Sequence, residues 1–235
     1  MNIAFFDFDG TMAKGDSLLG FVAFVRGKKR LYWGLFSRCF ILIGYALGLI
    51  SNTKAKQAVM RYFFANMDYK EFLQECERFC PDLESRLKPA ALARLQWHKD
   101  RGDVVVMVSA SFEEYLAPLC AKLGMECIGT RLATQTQNKD SRGGDSVLGS
   151  HSDDFADFKA TADLKSCSAL KSTQTLESTF LSGEFATPNC YGEQKAVRIK
   201  ARYDLSRYEE IYAYGDSKGD IAMLALATHA FYKPF

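Results

Sequence analysis

With 235 residues and 26.4 kDa, the chain has room for one good hydrophobic core or a core domain plus a small accessory one, and not for three independent domains. An apolar fraction of 48% beside 25% charged residues is that of a packed globular protein and excludes collagen-like or wholly disordered classes. Thirty basic side chains against 28 acidic ones leave a formal +2, too balanced to bind nucleic acid across a whole face, so any anion recognition must be local.

Residues 2–6 (Asn-Ile-Ala-Phe-Phe) are a short apolar run that ends at Asp7-Phe-Asp9-Gly-Thr11, and they predict a buried strand opening into a loop. From 16 to about 85 the chain lacks strand signals. Helices are expected over 18–25, 31–50, 54–64 and 69–79, an inserted helical subdomain. A helix over 86–101, with apolar Leu87, Ala91, Leu92 and Leu95 at roughly helical spacing, leads to a second strand that ends at Val108-Ser109-Ala-Ser111. A helix over 112–124 follows, with Gly124 as its C-cap. Residues 134–182 are crowded with Ser, Thr, Asp and Lys, which predicts a disordered surface insertion. A third strand leads into Gly215-Asp216-Ser217. Strands alternating with helices predict an α/β fold with a parallel sheet and a ligand crevice at the carboxyl ends of its strands.

Those ends carry the candidate chemistry. Asp7 and Asp9 place two carboxylates in a loop that Gly10 allows to turn tightly, and Asp216 and Asp220 converge on the same edge. Such oxygen donors suit a hard divalent cation such as Mg²⁺. Ser109 offers a hydroxyl and nearby backbone N–H groups to phosphoryl oxygens, and Lys195 a positive charge. Each residue alone would more often be a solvated loop residue; their convergence carries the reading.

Taken in order, Asp7-Phe-Asp9-Gly-Thr11, Val-Ser109-Ala-Ser111, Lys195 and Gly215-Asp216-Ser-Lys-Gly-Asp220 resemble the four motifs of the haloacid dehalogenase (HAD) superfamily. The likeness is to its phosphoserine-phosphatase-like branch, subclass IB, and covers nearly the whole chain. It implies a Rossmann-like parallel sheet with helices on both faces, a catalytic core of 1–15 and 86–235, and a helical cap over 16–85. It also implies a Mg²⁺-dependent phosphatase. Asp7 would be the nucleophile that forms an aspartyl-phosphate and Asp9 the general acid and base. Asp7, Asp9 through its backbone carbonyl, and Asp216 would hold the metal. Thr11, Ser109 and Lys195 would bind the phosphoryl group, and Asp220 would support Lys195. Asp16 and Arg61 are the candidates for substrate contact from the cap. The family's phosphoserine phosphatases usually carry Asn where this chain has Gly219 and Glu where it has Asp16, so phosphoserine itself is not assigned. A phosphotransferase with the same intermediate and a non-catalytic membrane-surface adaptor are the alternatives.

Residues 32–50 are almost wholly apolar and follow Arg26-Gly-Lys28-Lys29-Arg30. A single transmembrane crossing there would part Asp7 from Asp216, so a buried cap helix, a dimer contact, or a helix hairpin turning near Gly44 or Gly48 that makes peripheral membrane contact through 26–50 is expected instead. The layout is similar to phosphatidylglycerophosphate phosphatases of the same branch. The substrate is therefore expected to be a phosphorylated small molecule or a lipid phosphate. Seven cysteines without a CxxC, and a start lacking a basic n-region and long apolar stretch, predict a reducing, cytoplasmic setting, peripheral to the inner membrane face if 26–50 makes contact.

Overall fold

A computed structural model describes residues 1–137 and 178–235. Residues 1–135 and 179–235 form one compact unit; the second, 136–178, lies almost wholly outside the described residues. Most of the segment expected to be disordered (134–182) therefore also lies outside them. Its two ends do not fit that expectation: they belong to β4 (Leu132–Gln137) and β5 (Ser178–Phe185), which pair as a two-stranded sheet.

The main sheet has five parallel strands in the order β3-β2-β1-β6-β7. These are β1 (Ile3–Phe6), β2 (Val104–Phe112), β3 (Glu126–Thr130), β6 (Ile211–Gly215) and β7 (His229–Tyr232). Because side chains alternate across a strand, Ala4 and Phe6 enter one core while Ile3 and Phe5 enter a second on the opposite face. Both faces are covered by helices, which is why β1 reads as an unbroken apolar run. The order reverses at β1, so the loop after it meets those after β2 and β6 at the topological switch point where such sheets bind ligands.

Five helices separate β1 from the next core helix: α1 (Ser17–Arg26), α2 (Lys28–Ser37), α3 (Cys39–Ala46), α4 (Asn52–Phe64) and α5 (Tyr69–Ser85). Phe21 of α1 stacks on Phe64 and Tyr115 and meets Phe72 and Phe79 edge-on, with centroids 5.2–5.4 Å apart. This aromatic cluster joins α1, α4 and α5 to α7 (Glu113–Leu123) beside the sheet. Truncating Phe21 to Ala would cost about 3–5 kcal/mol. The expected single helix over 31–50 is instead two, because the chain leaves helical geometry at Arg38 (φ −110°, ψ 15°). Conversely, α5 runs six residues past the expected end at 79, through Pro81. Its buried stripe of Phe72, Cys76, Phe79 and Leu83 outweighs the one backbone bond that Pro81 removes.

The helix α6 (Pro89–Asp100) starts with proline at a position where a missing N–H costs nothing. Its Ala91 and Leu95 are buried, whereas Leu92 is exposed. Gly124 closes α7 in the left-handed conformation (φ 62°, ψ 38°), as read from the sequence. On the far face lie α8 (Glu193–Arg202) and α9 (Ile221–Leu224).

Candidate active site

The first loop is shaped by two constraints at Gly10. Its φ is +82°, and a Cβ there would run into the Asp216 carboxylate. The absent side chain lets the loop after β1 close against the loop after β6. The side chain of Lys88, just before α6, donates to the Gly10 carbonyl, and its backbone N–H donates to Met12 O at 2.8 Å. Asp7 N donates to Tyr214 O at 2.9 Å, anchoring the loop to the sheet.

Carboxylate oxygens of Asp7, Asp216 and Asp220 lie within 4.8 Å of one another. Thr11 Oγ1 is 3.1 Å from Asp7 Oδ2 and 3.4 Å from Asp216 Oδ1. Lys195, 1% exposed at the start of α8, donates from Nζ to Asp7 Oδ1 at 2.6 Å, Asp220 Oδ1 at 2.6 Å and Val108 O at 2.8 Å. A buried ammonium with three acceptors is fully satisfied. Burial alone would pull Lys195 down, but the carboxylates of Asp7 and Asp220 more than reverse that and hold it protonated. Asp220 is itself held below the usual carboxylate range: burial pushes it up, but Lys195 and donors from Ser217 outweigh that. Burial pushes Asp7 up to about 6 against the pull of Lys195.

Asp9 points elsewhere. Its Oδ1 accepts from Ser17 N at 2.8 Å, and its Oδ2 accepts from Ser17 Oγ at 2.8 Å and Ser111 Oγ at 2.5 Å. Tyr115 OH lies 2.9 Å from Ser17 Oγ, and with both serines donating to Asp9 it is Tyr115 that donates to Ser17. Burial raises the Asp9 carboxyl, and the serine donors only partly restrain it. Ser109 is buried within β2, three residues before its end, and its Oγ accepts from Ser111 N at 3.1 Å.

Of the residues singled out in the sequence, Asp7, Thr11, Lys195, Asp216 and Asp220 thus come together. Asp9 sits among hydroxyls of α1, α7 and β2, and Ser109 lies next to the Val108 carbonyl that Lys195 grips. The two substrate-contact candidates lie outside this cluster, though the Asp16 carboxylate is near enough to act on Asp9 and Lys56. Asp16 is exposed and caps α1, accepting from Leu19 N at 2.9 Å, and Arg61 is paired with Glu184. The cation from the helical segment that reaches the strand ends is Lys56 of α4, with Nζ 3.3 Å from Ala110 O. Burial lowers its pKa, opposed chiefly by the nearby Asp9 and Asp16 carboxylates. Sequence reasoning missed Lys56, Ser17, Lys88 and Tyr115. Only Ser17, as a hydroxyl residue following Asp16 at a helix start, had a local signal.

Both oxygens of Asp220 are taken, by Lys195 and by the Ser217 donors, which leaves Asp7 and Asp216, whose carboxylate oxygens lie within 4.8 Å of each other; this oxygen-only pair fits Mg²⁺.

The family model of haloacid dehalogenase-like hydrolases matches residues 4–148 and 159–225. The chain belongs to that family. The chain is also similar to Protein CicA of Caulobacter vibrioides, 26% identical over 98% of this chain and 85% of that one. A protein of unknown function from Bordetella pertussis Tohama I has a similar fold, with TM-score 0.65 and 18% identity over 97% of this chain and 87% of that one. A substrate-bound phosphoserine phosphatase shares the HAD fold at TM-score 0.56 and 14% identity, over 98% and 83% of the two chains.

Proposed function

We propose that this HAD hydrolase is a Mg²⁺-dependent phosphomonoesterase that works through an aspartyl-phosphate on Asp7. The observation that carries this reading is the buried Asp7 carboxylate, held 2.6 Å from the Lys195 ammonium beside two further carboxylates. A carboxylate approaches a phosphate dianion only where positive charge offsets their repulsion. Lys195 supplies one such charge, and Asp220 and Val108 O fix where it sits. Asp7 and Asp216, with the backbone carbonyl of Asp9, would hold Mg²⁺, which when bound supplies the remaining charge neutralisation.

In the first step an Asp7 oxygen bonds to phosphorus as the ester oxygen leaves, taking its proton from Asp9. In the second, Asp9 takes a proton from water, the water oxygen bonds to phosphorus, and the Asp7–phosphorus bond breaks to release inorganic phosphate. The upward shift of Asp9 suits this double duty, because the carboxyl must hold a proton in one step and give it up in the other. Thr11 and Ser109 offer hydroxyls to the phosphoryl oxygens.

Residues 16–85 act as a cap over a core of 1–15 and 86–235. The reach of Lys56 to Ala110 O supports this, and Lys56 then faces the anionic substrate from the cap side. The substrate is the phosphomonoester of a small metabolite or a lipid phosphate.

Release of inorganic phosphate from a panel of soluble and lipid phosphomonoesters, with Mg²⁺ and with chelator, tests the reading. Turnover that needs Mg²⁺ and is lost in Asp7→Asn is expected. Asp7→Asn turning over within about tenfold of wild type would overturn it, because loss of a nucleophile costs far more.

A further inference from the structure

We propose that the outer face of α2 and α3 is a docking surface for an anionic lipid bilayer. The helix α2 is built inside out for a solvated surface helix. Its inward side is Leu31 and Gly34, both buried, and a Cβ at Gly34 would run into the rings of Phe63 and Tyr62 on α4. That close approach fixes which side of α2 faces out. At about 100° per residue, Tyr32, Trp33 and Phe36 share one arc on the opposite side with Lys29. Trp33 and Phe36 are 68% and 70% exposed, with rings 6.1 Å apart.

The next helix repeats the pattern. Phe40 and Ile43 of α3 and Leu47 just past its end, at i, i+3 and i+7, are exposed by 84%, 52% and 69%, while Gly44 is buried against Ile50. Side chains of this size, each more than half exposed, together present apolar area on the order of several hundred Å², the scale at which a surface marks an interaction site.

Charge identifies the occupant. Between Asp16 and Asp68 the chain contains no Asp or Glu, but eight Lys and Arg residues. The segment therefore carries +8 in a chain whose net charge is only +2; Lys56 faces the strand ends, Arg61 pairs with Glu184 and Arg26 donates to Phe63 O, which leaves the start of α2 as the cationic part of the outer face. Lys28, Lys29 and Arg30 are exposed at the start of α2, beside the aromatic arc. A second copy docked through the same face would bring these cations against their own counterparts with no acid in the segment to pair with them. An anionic headgroup layer satisfies both features at once: the cations meet lipid phosphates while aromatic and aliphatic side chains enter the interface. No helix among the described residues is long and apolar enough to cross a membrane, so the contact is peripheral.

Co-sedimentation of the full chain with vesicles of phosphatidylglycerol mixed with phosphatidylcholine, and of phosphatidylcholine alone, tests the surface. Wild type should pellet with the anionic vesicles, and less so as salt rises. The triple variant Lys28→Gln, Lys29→Gln, Arg30→Gln should bind about tenfold or more weakly. A second variant, Trp33→Ser, Phe36→Ser, Phe40→Ser, should lose the salt-resistant part of binding. Thermal melting reports that both remain folded, which is expected because all six side chains are exposed. Turnover of a water-soluble ester is read separately, so an inactive wild type bears on the catalytic reading and not on this surface. Wild type remaining in the supernatant at low salt with anionic vesicles in excess overturns the proposal. So does equal binding to both vesicle types that is unaffected by the charge variant, and so does a solution dimer that the serine variant abolishes without any vesicle binding.

Discussion

Ser17 grips Asp9 twice, through its backbone N–H to Oδ1 and through its hydroxyl to Oδ2, both at 2.8 Å. The second aspartate of the first loop is thereby turned away from Asp7, Asp216 and Asp220 and towards the first turn of α1. Two carboxylates one residue apart are separated into two environments, one set by an ammonium and the other by hydroxyls. Separating them in this way lets neighbouring acids take different roles.

Ser17→Ala tests that division. The backbone bond survives, so the loop should keep its shape, while one donor to the carboxylate is lost. A hydrogen bond to a charged group is worth about 1.5–3 kcal/mol, so kcat should fall about tenfold to a hundredfold. Because the lost donor favoured the ionised form, the Asp9 carboxyl should rise further, and the limb of the pH profile that reports it should move to higher pH. A limb that moves to lower pH would contradict the role given to Ser17.

Lys56 and Arg61 lie on one helix but differ in what they face. Arg61 is paired with Glu184, whereas Lys56 reaches the strand ends. Lys56→Met should lower kcat/KM about tenfold to a hundredfold, mainly through KM, on loss of a charge-assisted contact to an anionic substrate. Arg61→Met should stay within about threefold of wild type, since an exposed ion pair is worth little. Equal effects of the two substitutions in steady-state kinetics would show that the wrong cation has been placed at the site.

His98 provides a pH test away from the chemistry. It is fully buried, with Nδ1 2.8 Å from Asp103 Oδ2 and Nε2 2.9 Å from Tyr214 OH. Burial lowers its pKa, partly offset by Asp103. For a histidine lowered on folding, the unfolded chain binds more protons, so its contribution is present above the unfolded value of about 6.5 and is lost as pH falls below it. His98→Asn should be less stable than wild type at pH 7 by about 1–3 kcal/mol, for the broken hydrogen bonds. Denaturant unfolding should show that gap narrowing as pH falls below about 6.5, and a gap that widens would reverse the sign argued here.

The parts legible in the sequence were those where one physical cause dominates. Strands buried on both faces, such as Ile3–Phe6 and Ile211–Gly215, must be apolar throughout, and polar residues appear at once where they end. The edge strand His229–Tyr232 is mostly exposed and short, and β3 contains Gly129, so neither carries a pattern that separates strand from loop. The break at Arg38 was hidden because nothing near it opposes helix; its place is set by how α2 and α3 each pack on α4. Lys56 was illegible for a related reason. A lysine on a helix is ordinarily solvated, and only the folded chain brings this one to Ala110 O. Trp33 and Phe36 read somewhat more readily as cap core than as surface until Gly34 fixed the inner side of α2.

The most direct test of the central claim is to trap the phosphoenzyme. Asp9→Asn can still be phosphorylated by an activated aryl phosphate, whose leaving group needs no proton, but it lacks the base that activates water for the second step. The variant is mixed with Mg²⁺ and such an ester, quenched in acid and mapped by peptide mass spectrometry. One added phosphoryl group on the peptide carrying Asp7, absent when Asp7 is also changed to Asn, is the predicted result. Steady turnover with no phosphoryl group on that peptide, or with the group on another residue, would contradict the account.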